Sequence, residues 1–293
     1  MAESVLKYHA LGNDYLVLEA GAAPTPAQVR LLCDRHRGIG SDGVLFLDSH
    51  QLREPFELRI FNPDGGEAER SGNGLRIFAQ YLRDAGYAPQ DTVRIHIPAG
   101  LVRARYLSDG IEVEMGLPDF RAGSVPFLGL PAHQEFLSRF LELDGEALVL
   151  CGLSLGNPHA VMLLPEPLDP GAQEALARRI GPRLERDPRF PKGVNLEVVE
   201  VLAEGTLGVH IWERGAGYTL ASGSGATASA ATARRLGLVG DQVCVEMPGG
   251  VLSVEFDAEG RALLRGPVER VFAAELDAAW LQSREGNVPL EVP

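Results

Sequence analysis

The feature that most restricts this chain is a motif used twice, Ser71-Gly72-Asn73-Gly74 and Ser222-Gly223-Ser224-Gly225. Each opens a run with helical spacing, Leu75 to Leu82 after the first and Ala226 to Leu236 after the second. A glycine-rich turn feeding a helix leaves backbone N–H groups without intrahelical acceptors, and they point at whatever lies before the helix. Two such turns facing each other would cage a small anion, with one serine hydroxyl on each side. That suits a carboxylate whose neighbouring carbon is handled from two faces.

The duplication extends further. Leu11-Gly12-Asn13 returns as Leu155-Gly156-Asn157. A strand–turn–strand unit follows each helix. Val93 to Gly116 carries Ile97-Pro98-Ala99-Gly100 and Asp109-Gly110; Val243 to Gly266 carries Met247-Pro248-Gly249-Gly250 and Glu259-Gly260 in the same places. The copies lie about 150 residues apart, the size of a domain and far beyond the period of a solenoid. Two homologous lobes with a cleft between them, where small-molecule sites often lie, are the simplest account. Strand-rich halves that each hold one long helix predict an α+β fold rather than a parallel doubly wound sheet. The expected layout is an N-terminal lobe over 1–118 and a linker with a short helix around His133 to Leu141 over 119–147. A C-terminal lobe over 148–274 and a tail over 275–293 that packs back on a lobe complete it. Ser4 to Lys7 and Tyr15 to Leu18 read as strands. Thr25 to Arg35 reads as a helix capped by Thr25 with Pro26 at its first position, and Pro170 to Arg179 as another. The glycine-rich stretch His36 to Gly43 lacks the strand–loop–helix setting of a nucleotide fingerprint.

Composition narrows the function classes. With 293 residues, 45% of them hydrophobic, the chain can bury two cores. A net charge of −13 argues against a nucleic-acid partner. No apolar stretch approaches a membrane span and no signal-peptide pattern follows Met1, so a cytoplasmic protein with no membrane partner is expected. Cys33, Cys151 and Cys244 are too few and scattered for a disulfide framework and read as buried small hydrophobes. No metal is expected, because His36, His96, His133, His159 and His210 show no ligand spacing. No pyridoxal phosphate or other cofactor is expected either: lysine occurs only at Lys7 and Lys192, outside every motif.

A set of motifs spread along the chain resembles the diaminopimelate epimerase family, cofactor-independent amino-acid epimerases. They are Leu11-Gly12-Asn13-Asp14-Tyr15, Arg37 to Gly43, Phe61-Asn62-Pro63-Asp64-Gly65, Ser71 to Gly74, Gly156-Asn157-Pro158-His159-Ala160-Val161, Gly193-Val194-Asn195, Trp212 to Gly217, Ala221 to Gly225 and Pro248-Gly249-Gly250. The resemblance implies two pseudo-symmetric lobes, each a curved, mostly antiparallel sheet around a central helix, with the site between the helix starts. It implies that Gly72, Asn73, Gly223 and Ser224 hold the reacting α-carboxylate. Asn13, Asn62, Asn157, Asn195 and Arg214 would hold the far amino-acid end of a diamino diacid, which fits the donor and acceptor capacity of Asn and the planar fork of Arg. It also implies a homodimer as a common state and a place in lysine and peptidoglycan-precursor synthesis.

The chain departs from the family at the reacting positions. The family sets a cysteine at each motif, one as base and one as acid; here Ser71 and Ser222 stand there. A thiol can be tuned toward the operating pH, whereas a serine hydroxyl needs an adjacent base. His159 and Glu213, which the family sets beside the two reactive positions, are expected to activate Ser71 and Ser222 respectively. Tyr218, where the family has an acidic residue, is a second departure, expected at the pocket rim. The first functional expectation is an isomerase interconverting LL- and meso-2,6-diaminopimelate by two-base proton transfer at the α-carbon, impaired or modified by the serines. The alternatives are an isomerase or dehydratase of another amino acid, or a non-catalytic amino-acid binding protein. Deuterium wash-in at the α-carbon separates the three.

Overall fold

A computed structural model of the chain describes residues 3–169, 171–277, 279 and 280. It divides into two compact units: Met1–Ile111, resumed at Pro267, and Glu112–Gly266.

The first unit opens with β1 (Glu3–Ala10) and β2 (Asn13–Ala20), then α1 (Pro26–Cys33), β3 (Val44–Asp48), β4 (Phe56–Phe61), the short β5 (Glu67–Ala68), α2 (Gly72–Asp84), β6 (Thr92–Ile97) and β7 (Gly100–Leu107). Its ladder runs β1–β2 antiparallel, β2–β3 parallel, β3–β4 antiparallel, β4–β6 parallel and β6–β7 antiparallel, with β5 paired on β4. The chain then forms β8 (Gly110–Gly116), β9 (Arg139–Leu143), β10 (Glu146–Ser154), β11 (Pro158–Leu163), α3 (Ala172–Glu185), β12 (Asn195–Ala203), β13 (Thr206–Glu213), β14 (Gly217–Thr219), α4 (Gly223–Arg235), β15 (Gln242–Met247), β16 (Gly250–Phe256) and β17 (Ala262–Gly266). Here the ladder runs β10–β11 antiparallel, β11–β12 parallel, β12–β13 antiparallel, β13–β15 parallel and β15–β16 antiparallel, with β14 paired on β13. The two sequences of pairings are the same. The repeat seen in the motifs is therefore a repeat of whole topology, and the fold is α+β as expected.

One segment is placed differently from the expected layout. The last strand, β18 (Glu269–Leu276), pairs with β1 and belongs to the first unit, as β9 pairs with β10 in the second. Residues 267–274 thus leave the C-terminal lobe to which the spacing assigned them. Leu276 and Trp280 pack with Val5, Leu16 and Val29; the rest of the expected tail, 281–293, lies outside the described residues. From Glu112 onward β8 falls in the second unit and pairs with β17. The stretch expected to link the lobes is likewise folded into the second unit, and His133 to Leu141 is not a helix. Phe136 is fully buried against Phe127 and Phe190, and β9 then alternates, burying Leu141 and Leu143 while Phe140 stays 70% exposed. The apolar spacing imitates a helix, but period two wins.

Each unit is built on one buried helix. In α2, Leu75, Ile77, Phe78 and Leu82 have no exposed surface, and burying each contributes about 1.5–3 kcal/mol. α4 reaches the same depth with small residues, Ala226 to Ala233, and its contacts extend to β10, β11, β12, β13, β15, β16 and β17. Thr227 and Ser229 return their hydroxyls to the carbonyls four residues back, which satisfies them inside the core. α1 starts with a capping box in which Gln28 N–H donates to Thr25 Oγ1 and Thr25 N–H to Gln28 Oε1. No helix among the described residues is long and apolar enough to cross a membrane.

Candidate active site

Ser71 and Ser222 occupy the N-cap positions of α2 and α4. Each has extended backbone, and each Oγ accepts from the third helical N–H: Gly74 at 3.0 Å and Gly225 at 3.2 Å. Gly72, Asn73, Gly223 and Ser224 supply the remaining first-turn N–H groups, the kind of helix start that can hold a carboxylate. Space at the third position is tight. A Cβ on Gly74 would meet Leu45 and the Ser71 hydroxyl at 3.1–3.2 Å, and one on Gly225 would meet Ile211 at 2.7 Å and Glu197 Oε1 at 3.1 Å.

Around Ser71 the polar side chains form a chain with a fixed sense. Arg76, fully buried on α2, donates from Nη2 to Asn73 Oδ1 at 2.8 Å. Asn73 Nδ2 donates to Asn13 Oδ1 at 3.0 Å, and Asn13 Nδ2 donates to Asp42 Oδ2 at 2.9 Å. A cation at one end and a carboxylate at the other leave neither amide free to flip. The loop before β3 supplies Asp42, which also accepts from the Asp14 N–H and from Arg35. Burial pushes the Asp42 carboxyl up, with like charge from Asp14 adding to it. Burial acts on Asp14 too, but hydrogen bonds from Arg35 and Lys7 outweigh it and hold that carboxyl below its usual range. Lys7 is thus spent on Asp14 and the Gly40 carbonyl. Asn62 lies exposed in the turn between β4 and β5, where its backbone closes on Gly65 and Gly66.

The second unit gathers more of the expected residues. Ser222 is 3% exposed and donates to Glu213 Oε1 at 2.6 Å, with Ser224 Oγ at 3.4 Å. Asn157 Nδ2 donates to Ser224 Oγ at 3.4 Å, and Asn157 Oδ1 meets His159 Nε2 at 3.0 Å. His159 Nδ1 lies 2.7 Å from Glu197 Oε1. Both ring nitrogens of His159 are therefore engaged inside its own unit, and neither is open to a serine hydroxyl in this arrangement. Asn195 uses both ends of its amide on backbone, accepting from Arg214 N–H at 2.7 Å and donating to the Pro158 carbonyl at 3.0 Å. Arg214 is exposed; its Nη1 donates to Lys192 O, and its stem lies over Gly193, where a Cβ would sit 2.9 Å away. Tyr218 is half-buried under Arg178, with its hydroxyl 2.6 Å from His210 Nδ1.

Among the residues that were not expected at the site are Asp42, Arg76 and Glu197, and Tyr15, whose hydroxyl lies 3.1 Å from Ser71 Oγ. Tyr15 and Asp42 lie inside matching motifs, and Arg76 two positions beyond one. Glu197 had a signal of its own, a carboxylate inside the apolar run Leu196 to Val199. Cys33 and Cys151 are buried, but Cys244 is only half-buried, contrary to the expectation for it. Burial pushes the Cys33 and Cys244 thiols up, away from thiolate chemistry.

Comparison with known proteins identifies the family and the fold. The family model described as diaminopimelate epimerase matches residues 5–120 and 151–271. A protein named diaminopimelate epimerase 2 from Nostoc sp. is 40% identical over 275 residues, spanning 92% of this chain and 94% of its own. The diaminopimelate epimerase of Nostoc punctiforme is 39% identical over 284 residues, 94% of this chain and 100% of its own. Among solved structures, a probable proline racemase from Agrobacterium radiobacter K84 superposes with a TM-score of 0.69 at 17% identity, over 95% of both chains. A hydroxyproline epimerase from Agrobacterium vitis gives 0.68 at 17% identity, over 94% of this chain and 92% of its own. These structures share the fold, and the family model and the sequence relatives match over most of the chain: the chain belongs to the diaminopimelate epimerase family.

Proposed function

We propose that this isomerase interconverts LL- and meso-2,6-diaminopimelate, and so acts in lysine and cell-wall precursor synthesis. The observation that carries the reading is the pair of serine-capped helix starts, each presenting outward N–H groups and one hydroxyl. The α-carboxylate would take the N–H groups of Gly72, Asn73, Gly223 and Ser224. Asn13, Asn62, Asn157, Asn195 and Arg214 would receive the distal amino-acid end. Ser71 and Ser222 would serve the two faces of the α-carbon. Glu213 is the general base for Ser222, and its 2.6 Å hydrogen bond supports that role. His159 is assigned to hold Asn157 in orientation rather than to deprotonate a serine, because its ring nitrogens already face Glu197 and Asn157.

The serines leave the scaffold intact and weaken the chemistry. A hydroxyl is a poorer acid and base than a thiol at neutral pH, so slow turnover is expected. The test is α-hydrogen exchange in deuterium oxide with each diaminopimelate stereoisomer, before and after Ser71→Cys together with Ser222→Cys. The double variant should invert the stereocentre at least about 100-fold faster, within the range a positioned acid–base group contributes. Loss of binding of both stereoisomers, or elimination in place of inversion, would reject the assignment.

A further inference from the structure

The two capped helix starts share one scaffold but differ in the third contact of the serine oxygen. Ser222 Oγ meets a carboxylate, Glu213, at 2.6 Å. Ser71 Oγ meets a phenol, the hydroxyl of Tyr15, at 3.1 Å. Tyr15 is 7% exposed, and its ring is set from two sides. β2 holds its backbone opposite Tyr8, and Gly43 leaves the room the ring needs, since a Cβ there would sit 2.6 Å from the ring edge. The hydroxyl is thus aimed at Ser71 by structure rather than by chance of rotamer.

Resting on the function proposed above, we infer that Tyr15 is the proton-relay partner of Ser71, and that Ser71–Tyr15 and Ser222–Glu213 form an unequal acid and base pair. The two partners differ in kind, a carboxyl on one side and a phenol on the other, so the pair offers one stronger and one weaker acid, the asymmetry that a two-base inversion uses. In the forward step the Cα–H bond breaks toward Ser222 Oγ while the Ser222 hydroxyl proton passes to Glu213 Oε1. The electron pair left on Cα takes the Ser71 hydroxyl proton on its other face, and the Tyr15 phenolic proton refills Ser71 Oγ. The step ends with Glu213 protonated and Tyr15 a phenolate, and water returns the proton from one to the other. In the reverse direction water first carries the Tyr15 proton to Glu213; the phenolate then draws the Ser71 proton as Ser71 takes the α-hydrogen, and Glu213, through Ser222, delivers its proton to the opposite face.

Tyr15→Phe removes only the hydroxyl and tests this directly. Epimerisation and deuterium wash-in are followed by NMR for LL- and meso-diaminopimelate from pH 6 to 10, beside the melting temperature. The variant should keep KM within about threefold, lose about 100-fold in kcat, lose the alkaline limb of its pH profile, and exchange deuterium into one stereoisomer without inverting it. Global replacement of tyrosine by 3-fluorotyrosine, a more acidic phenol, should move the alkaline limb to lower pH in the otherwise unaltered chain. A Tyr15→Phe variant within threefold in kcat, or an alkaline limb that ignores fluorination, overturns the inference. A chain that exchanges no α-hydrogen with either stereoisomer also overturns it. If Ser71→Cys/Ser222→Cys then exchanges, the proposed function survives alone; if that variant is silent too, the function falls with it.

Discussion

His159 Nδ1 lies 2.7 Å from Glu197 Oε1, and neither side chain has any exposed surface. The proton count of this pair follows from its neighbours. Asn157 donates its Nδ2 to Ser224, so its Oδ1 must accept, and His159 Nε2 must carry hydrogen. One further proton occupies the Nδ1–Oε1 bond, so the pair is neutral as a unit wherever that proton sits. Burial pushes the Glu197 carboxyl up against the pull of His159, and the nearby Glu213 charge adds to the rise. Glu197 Oε2 has no hydrogen-bond partner among the described residues. Glu197 thus orients His159, and through it Asn157, without touching the serines.

Glu197→Ala should destabilise the protein by about 3–5 kcal/mol, the cost of leaving one member of a buried pair alone. Glu197→Gln should cost less than half of that, because its amide N–H can donate to Nδ1 and keep Nε2 protonated. Its KM for diaminopimelate should stay within about threefold of the parent's. Urea unfolding and initial rates decide between them; equal losses for the two variants would mean that the carboxylate fills space and nothing more.

Asp14 gives the fold a defined acid response. Its carboxyl is held below the ordinary range, because hydrogen bonds from Arg35 and Lys7 outweigh burial. Between that depressed value and the unfolded value near 3.9 the unfolded chain binds more protons, so stability rises with pH there. The contribution is complete above about pH 5 and is lost as pH falls through the folded value. Asp14→Asn should therefore cost about 1–3 kcal/mol at pH 7, and that cost should shrink as pH falls below about 5. Asp42 has the opposite sign, since burial and the Asp14 charge raise it, and its relief places the expected cost toward the lower end. A deficit that stays constant in urea unfolding from pH 7 to 3 would exclude the ion-pair origin.

The doubling of topology was legible because it rests on glycine turns and helix starts, which are local. The roles of Glu197 and Arg76 were not, because they depend on what the other chain segments bring. In β12, Leu196, Glu197 and Val198 are all fully buried, since α3 and α4 both pack on that strand, so the usual alternation of faces vanishes. α3 shows the same limit. Gly181-Pro182 reads as a stop, yet the helix runs on to Glu185. Gly181 packs directly on Trp212, where a Cβ would lie 2.2 Å from the ring, and only the folded sheet supplies that contact. The site asparagines were found as a set by motif; their hydrogen-bond order was not, because amide orientation is fixed by Arg76 and Asp42 at the ends of the chain.

The serines suit the cap better than cysteines would. Serine is among the best N-cap residues, and its loss to alanine costs about 1 kcal/mol. Ser71→Ala and Ser222→Ala should each show that loss in urea unfolding, Ser222 the larger because its further bond goes to the Glu213 carboxylate, whereas that of Ser71 meets the Tyr15 phenol. A thiol accepts hydrogen bonds weakly, so Ser71→Cys with Ser222→Cys should lower stability by about 1–2 kcal/mol while turnover rises. A double variant as stable as the parent would show that the cap bonds at Gly74 and Gly225 contribute nothing.

Arg76 separates stability from function most sharply. Its guanidinium is fully buried and reaches Asn73 through Nη2, while Nε and Nη1 have no hydrogen-bond partner among the described residues. Burial without a facing carboxylate lowers its pKa, the mark of a charge held at a cost. Replacing a buried charge with a well-packed apolar side chain is often neutral or stabilising by about 1–4 kcal/mol. Arg76→Met should therefore leave the fold as stable as before, or more so. The same change removes the Arg76 hydrogen bond that orients the Asn73 side chain, and with it part of what fixes Asn13, a group assigned to the substrate. KM for diaminopimelate should rise about 10-fold or more, corresponding to roughly 1.4 kcal/mol of binding, with the melting temperature unchanged or raised. Should the variant unfold several degrees earlier and bind as before, Arg76 would be a structural residue and the ordered chain from Arg76 to Asp42 would have no part in recognition.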